Sequence, residues 1–355
     1  MPTYELLLAP SANRVYADQT PRLAAAEAAV VGGWTMRPHR LAGLSCLGFE
    51  AAAVDPAALS RLSAGLALFE AVPDPAAPDQ TVPDLSNPDQ ALPDPADLDQ
   101  VLLRPLPWPA LGPVEEDLVT IPKYAGKTNE QFTQLLLNVT LSQVRAAGPV
   151  TVLDPMCGRG TTLTTAWRLG WDAAGVEVES SAVEALAAFL KTYLRRKRLK
   201  HRAELNPVRR DGRNLGKRLE VEAQFGDQTR HLAVFSGDTR QSAVLWGKRR
   251  FQAVVVDAPY GVVHGSRSGP GSGRQRSAGQ LLAEAVPVWS RQLAPGGALG
   301  LSWNSLGLPR ADLIELVQQA GLTACQGGPW ELFGHRVDSS IYRDIVVATK
   351  PLELT

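Results

Sequence analysis

Three cysteines (Cys46, Cys157 and Cys325) are too few and too far apart for a disulfide framework or a zinc knuckle. The five histidines are scattered too, with no His-x-x-x-His pair, so no metal is expected. No apolar run approaches the length of a membrane span. The opening residues, MPTYELLLAPSANRVY, lack the basic start and long apolar core of a signal peptide. These absences lead to the expectation of a soluble, reduced, cytoplasmic protein with no membrane and no metal.

An excess of one charge is also missing, since 36 Lys and Arg cancel 36 Asp and Glu. The cancellation conceals an uneven distribution. Residues 71–118 carry ten acids and a single base, Arg104, whereas residues 119–355 hold 30 bases against 20 acids. A basic C-terminal two-thirds behind an acidic stretch favours a polyanionic partner.

Within the acidic stretch, residues 72–101 read VPDPAAPDQT, VPDLSNPDQA and LPDPADLDQV, three near-copies of one unit. Proline at this density blocks helix and ladder pairing, which predicts a Pro/Asp-rich disordered linker over 72–118. An acidic mimic that occupies the basic face until nucleic acid displaces it is the alternative. Before the linker, residues 1–71 predict a small α+β module. Its strands are expected at 4–10 and 41–51, with helices at 21–33 and at 55–72, the latter capped by Asp55.

Beyond it, residues 119–355 alternate strand and helix. Strands are expected at 150–154, 173–179, 232–238, 251–261 and 296–304, with helices at 161–170, 181–200, 280–293 and 310–321 and a terminal strand pair. That alternation predicts a Rossmann-like, doubly wound α/β fold, with a mostly parallel seven-stranded sheet and an antiparallel edge strand. A basic insertion around 195–231 contains a possible hairpin, KRLEVEAQF–GDQ–TRHLAVF.

One stretch carries chemistry: TVLDPMCGRGTTLTTAWRLGWDAAGVEVE, residues 151–179. Gly158 and Gly160 supply a turn that a ligand can approach closely. Glu177, at the end of the next strand, suits two ribose hydroxyls. NAD fits the same outline, but three details oppose it. The loop continues Thr161-Thr162-Leu163 without the third glycine. Asp154-Pro155 precedes the glycines, and a carboxylate there repels a pyrophosphate while suiting a sulfonium or an ammonium. The fourth strand ends in DAPYG (257–261).

With these motifs in this order, residues 120–350 resemble class I S-adenosylmethionine-dependent methyltransferases acting on exocyclic amino groups. The resemblance implies S-adenosyl-L-methionine as cofactor, with Asp154, Pro155, Cys157, Gly158, Gly160 and Thr161 around its methionine part. It further implies Glu177 on the ribose and Asp238 of SGD (236–238) on the adenine amine. DAPY resembles the (Asp/Asn)-Pro-Pro-(Tyr/Phe) motif, which implies a catalytic role for Asp257, Ala258, Pro259 and Tyr260. YAGKTNEQFTQLLLN (124–138) is similar to the corresponding segment of tRNA guanine-N2 methyltransferases of the THUMP-associated class. In that class the segment covers the methionine end, which brings in Thr128. The N-terminal module is too short for a clear THUMP domain. Ala258 stands where the family usually has proline, a change that keeps the carbonyl but lessens the rigidity of the turn.

An aromatic amine is a poor nucleophile because its lone pair is delocalised. Asp257 and the Ala258 carbonyl can each accept an N–H, drawing nitrogen toward tetrahedral geometry, while Tyr260 stacks on a flipped base. Phosphate contacts are expected from Arg195, Arg196, Lys197 and Arg198, and from Arg267 and Arg274 in GSRSGPGSGRQR (265–276). The leading expectation is RNA binding and tRNA processing, through N2-methylation of guanosine. The rivals are an adenine-N6 or cytosine-N4 DNA enzyme and a nucleic-acid-binding protein with a vestigial cofactor site.

Overall fold

The computed structural model describes residues 1–73, 101–210, 212–259 and 278–352. They divide into two units, Met1–Leu111 with Gly328–Phe333, and Gly112–Gly327 with Gly334–Thr355.

In the first unit β1 (Thr3–Leu8), β2 (Arg37–Leu41), β3 (Leu44–Glu50), β4 (Gly65–Pro73) and β5 (Val101–Pro105) form an antiparallel sheet. Its order is β2-β3-β1-β4-β5. Ala42 and Gly43, both at positive φ, make the two-residue turn that a β2–β3 hairpin needs. Leu6, Leu47, Phe49 and Leu68 pack on Ala24 and Ala28 of the Arg14–Gly32 helix, forming the core. That helix begins earlier than expected because Asn13 caps it, accepting from Tyr16 N at 3.1 Å.

Two expectations fail in this unit. Asp55 does cap a helix, but the helix is only Pro56–Ser60, and Gly65–Pro73 is a strand. Leu66 is exposed and Leu68 buried, a period-two pattern satisfied by pairing with β1. Nor does a linker occupy all of 72–118. β4 runs on to Pro73, and Val101–Pro105 pairs with it in register, Phe69 opposite Pro105. The repeats at 74–100 lie outside the described residues.

The second unit is built on β6 (Thr151–Asp154), β7 (Asp172–Glu177), β8 (His201–Arg210), β9 (Arg213–Phe225) and β10 (Gln228–Ser236). It continues with β11 (Phe251–Asp257), β12 (Leu293–Asn304), β13 (Thr323–Ala324), β14 (His335–Arg336) and β15 (Tyr342–Thr349). The order is β13-β15-β12-β11-β6-β7-β10-β9-β8, with β14 on β15. β10, β7, β6, β11 and β12 are mutually parallel. Val152, Leu153 and Val254–Val256 are buried, as strands covered on both faces require.

The mostly parallel α/β sheet is as expected, but its edges are not. The antiparallel strand β15 lies between β12 and β13 instead of at the edge. At the other side β9 and β8 add two antiparallel strands, giving ten among the described residues. The basic insertion is therefore an ordered extension of the sheet, and its predicted hairpin turns at Gly226 (φ 56). β7 and β11 flank β6 on opposite sides, so a crevice opens at the carboxyl end of β6, where ligands of such sheets bind.

Candidate active site

At that crevice β6 ends in Asp154, 3% exposed, whose Oδ1 accepts from Met156 N at 3.0 Å. Burial, with smaller contributions from the charges of Asp257 and Glu177, pushes its carboxyl up to about 7, against the pull of bonds from Met156 and Thr162. The chain then turns through Gly158 (φ 51) and Gly160 (φ 83), which starts the Thr161–Arg168 helix. A Cβ on Gly160 would meet Leu186 Cδ1 at 2.9 Å, whereas one on Gly158 would meet nothing within 4 Å. Gly158 is thus the open side of the loop.

Glu177 closes the far wall. Its two oxygens accept from Gly158 N and Glu179 N, both at 2.8 Å. Burial raises its pKa as well. Cys157 lies beneath the loop, its N donating to Val176 O at 3.1 Å. A Cβ on Gly175 would stand 2.7 Å from its Sγ, so that glycine makes room for the thiol. Burial holds the thiol well above its ordinary pKa, so it serves packing and not nucleophilic chemistry. Pro155 is buried and Thr161 half-buried, with Tyr124 Oη 2.7 Å from Thr161 Oγ1. Arg159 lies over the Tyr124 ring at 5.0 Å.

Asp257 ends β11, and a hydroxyl holds each of its oxygens. Thr128 Oγ1 donates to Oδ2 at 2.6 Å and Ser302 Oγ donates to Oδ1 at 2.8 Å. Ser302 also fixes the next residue, because its carbonyl accepts from Ala258 N at 2.8 Å. Proline could not make that bond. Its loss was expected to loosen the turn, yet the ladder to β12 continues one residue further and stiffens it. Pro259 is exposed, and Tyr260 lies outside the described residues.

One sequence assignment is redirected and another gains a partner. Thr128, expected on the cofactor, has its hydroxyl on Asp257. Asp238, expected on the adenine amine, is engaged by Arg240. Its Oδ1 accepts from Arg240 N at 2.8 Å and Nε at 2.9 Å, and Arg240 Nη2 reaches Oδ2. Arg240 Nη1 continues to Glu284 at 3.0 Å. This ion pair orients the carboxylate at the end of β10. Ser302 was missed entirely; a serine inside an apolar strand carries no signal until β11 and β12 are known to be neighbours.

Among the expected phosphate contacts, Arg195, Arg196 and Arg198 are exposed. Lys197 instead pairs with Glu115 at 2.8 Å and Asp117 at 2.6 Å, and Tyr193 Oη donates to Asp117 at 2.5 Å. Arg267 and Arg274 lie outside the described residues. No three-residue His, Cys, Asp or Glu cluster able to hold a metal occurs among the described residues, and none of the described helices is long and apolar enough to cross a membrane.

No family model matches the chain, and no curated protein does. Among solved structures, TrmN from Thermus thermophilus is similar at 13% identity, over 99% of this chain and 100% of its own, with a TM-score of 0.43. A TehB-like SAM-dependent methyltransferase from Corynebacterium glutamicum follows at 15% identity, over 58% and 82%, with a TM-score of 0.32. An rRNA methylase from Streptococcus thermophilus shows 12% identity over 58% and 89%, with a TM-score of 0.33.

Proposed function

We propose that the protein is an S-adenosylmethionine-dependent N-methyltransferase acting on an exocyclic amino group of a nucleic-acid base, N2 of guanosine in tRNA. The observation that carries the reading is Asp257, held by Thr128 and Ser302 beside the crevice that Asp154 and Glu177 line. The charges of Asp257 and Glu177 raise the cost of ionising Asp154, and three carboxylates so placed suit a cationic ligand and repel a pyrophosphate. Asp154 faces an ammonium, Glu177 the ribose hydroxyls, and the open side of Gly158 admits the methionine chain.

When bound, the cofactor supplies an electrophilic methyl on a sulfonium. Asp257 accepts one N–H of the incoming amine, and the two hydroxyl donors keep its carboxylate in one plane while it does so. The Ala258 carbonyl accepts the second N–H. The positive charge that would develop on the methylated nitrogen would face Asp257. The proton then lost from nitrogen passes to Asp257 or on to water. A preorganised acceptor of this kind is worth roughly 3 kcal/mol or more. Asp238, oriented by Arg240, would reach the adenine amine.

Mass spectrometry of nucleosides from RNA and DNA, with and without the gene, tests the substrate. Loss of N2-methylguanosine from tRNA is expected, and loss of a methylated adenine or cytosine from DNA would replace the RNA reading. Calorimetry tests the cofactor: S-adenosylhomocysteine should bind and NAD should not. Asp257→Ala should retain cofactor affinity within about threefold while transfer falls about a hundredfold or more. Abolished cofactor binding in that variant would remove Asp257 from the amine.

A further inference from the structure

Residues 185–203 contain seven Lys and Arg, with His201, and no acid. Ion pairing divides them. Lys197 is neutralised by Glu115 and Asp117, and Arg202 by Glu204 at 2.9 Å. Lys191 and Arg195 are exposed, and neither makes an ion pair or side-chain hydrogen bond among the described residues. Four apart on the Ser180–Arg196 helix, they share one of its faces. Both line a groove of about 540 Å³ against His201 and Ala203 of β8, with Ala188 and Thr192 between them.

Cations near an edge strand also guard it against pairing with another sheet. β8 carries its own guards in Arg202, Pro207 and Arg209, whereas Lys191 and Arg195 stand on the neighbouring helix. Here two unpaired cations of the helix and a histidine of the strand line one open, shallow surface together with Ala188, Thr192 and Ala203, with no acid among the lining residues.

Its position identifies the kind of anion. The Ser180–Arg196 helix starts just after Glu177 and runs back toward the amino ends of the strands. Ser180 and Arg195 are fifteen residues apart, which at 1.5 Å per residue is about 22 Å. The groove is thus at the far end of the sheet from Asp154, Glu177 and Asp257. A free nucleotide cannot touch both places, whereas a folded RNA can.

We infer that this groove binds the phosphate backbone of a folded RNA, as a second contact at the opposite end of the Ser180–Arg196 helix from the transfer site, about 22 Å along that helix from Ser180. The inference rests on the nucleic-acid reading of the active site. Lys191 and Arg195 act on holding the substrate and not on the reacting atoms.

The test uses the full chain, bulk tRNA and a duplex DNA of the same charge, with Lys191→Ala/Arg195→Ala as the variant. Alanine is a good helix former at both exposed positions. Two lost phosphate contacts should reduce the slope of log K against log salt by about 1.4–1.8, which weakens tRNA binding about 15- to 30-fold at 0.15 M salt. KM for tRNA should rise by a similar factor while turnover at saturating tRNA stays within about twofold. An unchanged slope, or lower turnover with KM unaltered, would overturn the inference. So would a loss confined to duplex DNA. Wild-type protein that binds S-adenosylhomocysteine but neither tRNA nor DNA would instead refute the nucleic-acid reading, so the two failures are distinguishable.

Discussion

The affinity for S-adenosylhomocysteine should fall as pH drops below neutrality, because in the proposed site Asp154 must be ionised to face the ammonium. Burial, Asp257 and Glu177 hold that carboxyl up to about 7 in the free protein. At pH 8 about nine-tenths of it is ionised and at pH 6 about one-tenth, so affinity should change about tenfold. Binding also favours the anion, so the missing proton must leave: about 0.9 proton is released at pH 6 and about 0.1 at pH 8. Calorimetry in buffers of different ionisation enthalpy reads both quantities. Asp154→Asn should weaken binding and abolish its dependence on pH between 6 and 8. The same change should stabilise the ligand-free protein. A folded pKa above the unfolded value means that stability is full below about 4 and lost as pH rises through 7. The cost is on the order of 4 kcal/mol above neutrality, and asparagine does not incur it. A flat affinity profile, or tighter binding at pH 6, would refute the assignment of Asp154 to a cation.

Thr128→Val and Ser302→Ala should each lower turnover roughly tenfold to a hundredfold with cofactor affinity intact, matching a bond of about 1.5–3 kcal/mol to a charged group. Thr128→Ser should restore most of the rate, and single-turnover kinetics would show whether it does. Glu177→Ala should weaken S-adenosylhomocysteine by about 1.5–3 kcal/mol in calorimetry, with the pH dependence set by Asp154 retained. Gly160→Ala should cost about 1–3 kcal/mol in denaturant unfolding, since its positive φ and the nearby Leu186 both oppose a Cβ. In the N-terminal unit Glu27 is fully buried and accepts from Ser63 N at 3.0 Å and from Ser63 Oγ. Glu27→Ala should destabilise that unit by about 1–3 kcal/mol, read from the same unfolding curves.

What the residues disclosed by themselves was local. The strand–Asp–glycine turn–helix of 151–168 and the Glu177 that follows are consecutive in the chain, and periodicity plus two glycines suffices to place them. DAPYG could be set at a strand end for the same reason. The clamp on Asp257 could not, since Thr128 and Ser302 are 129 and 45 residues away and meet only when the Glu130–Leu141 helix and β12 pack around β11. Helix and strand patterns coincide over short apolar runs, which is why Gly65–Pro73 was mistaken for helix. Charge was legible as a sum but not as pairs: RRKR reads as four equivalent cations, yet Glu115 and Asp117 remove Lys197 from the set.

The amide of Ala258 has a consequence for how the site can be watched. Its proton is shared with the Ser302 carbonyl across β11 and β12, so it exchanges with solvent only when that end of the sheet opens. A relative with proline at this position has no such proton and keeps no record of the opening. Here one exchange rate reports the opening free energy of the turn that follows β11. Measured with and without bound S-adenosylhomocysteine, it would show how far filling the cofactor side of the crevice tightens the turn after β11.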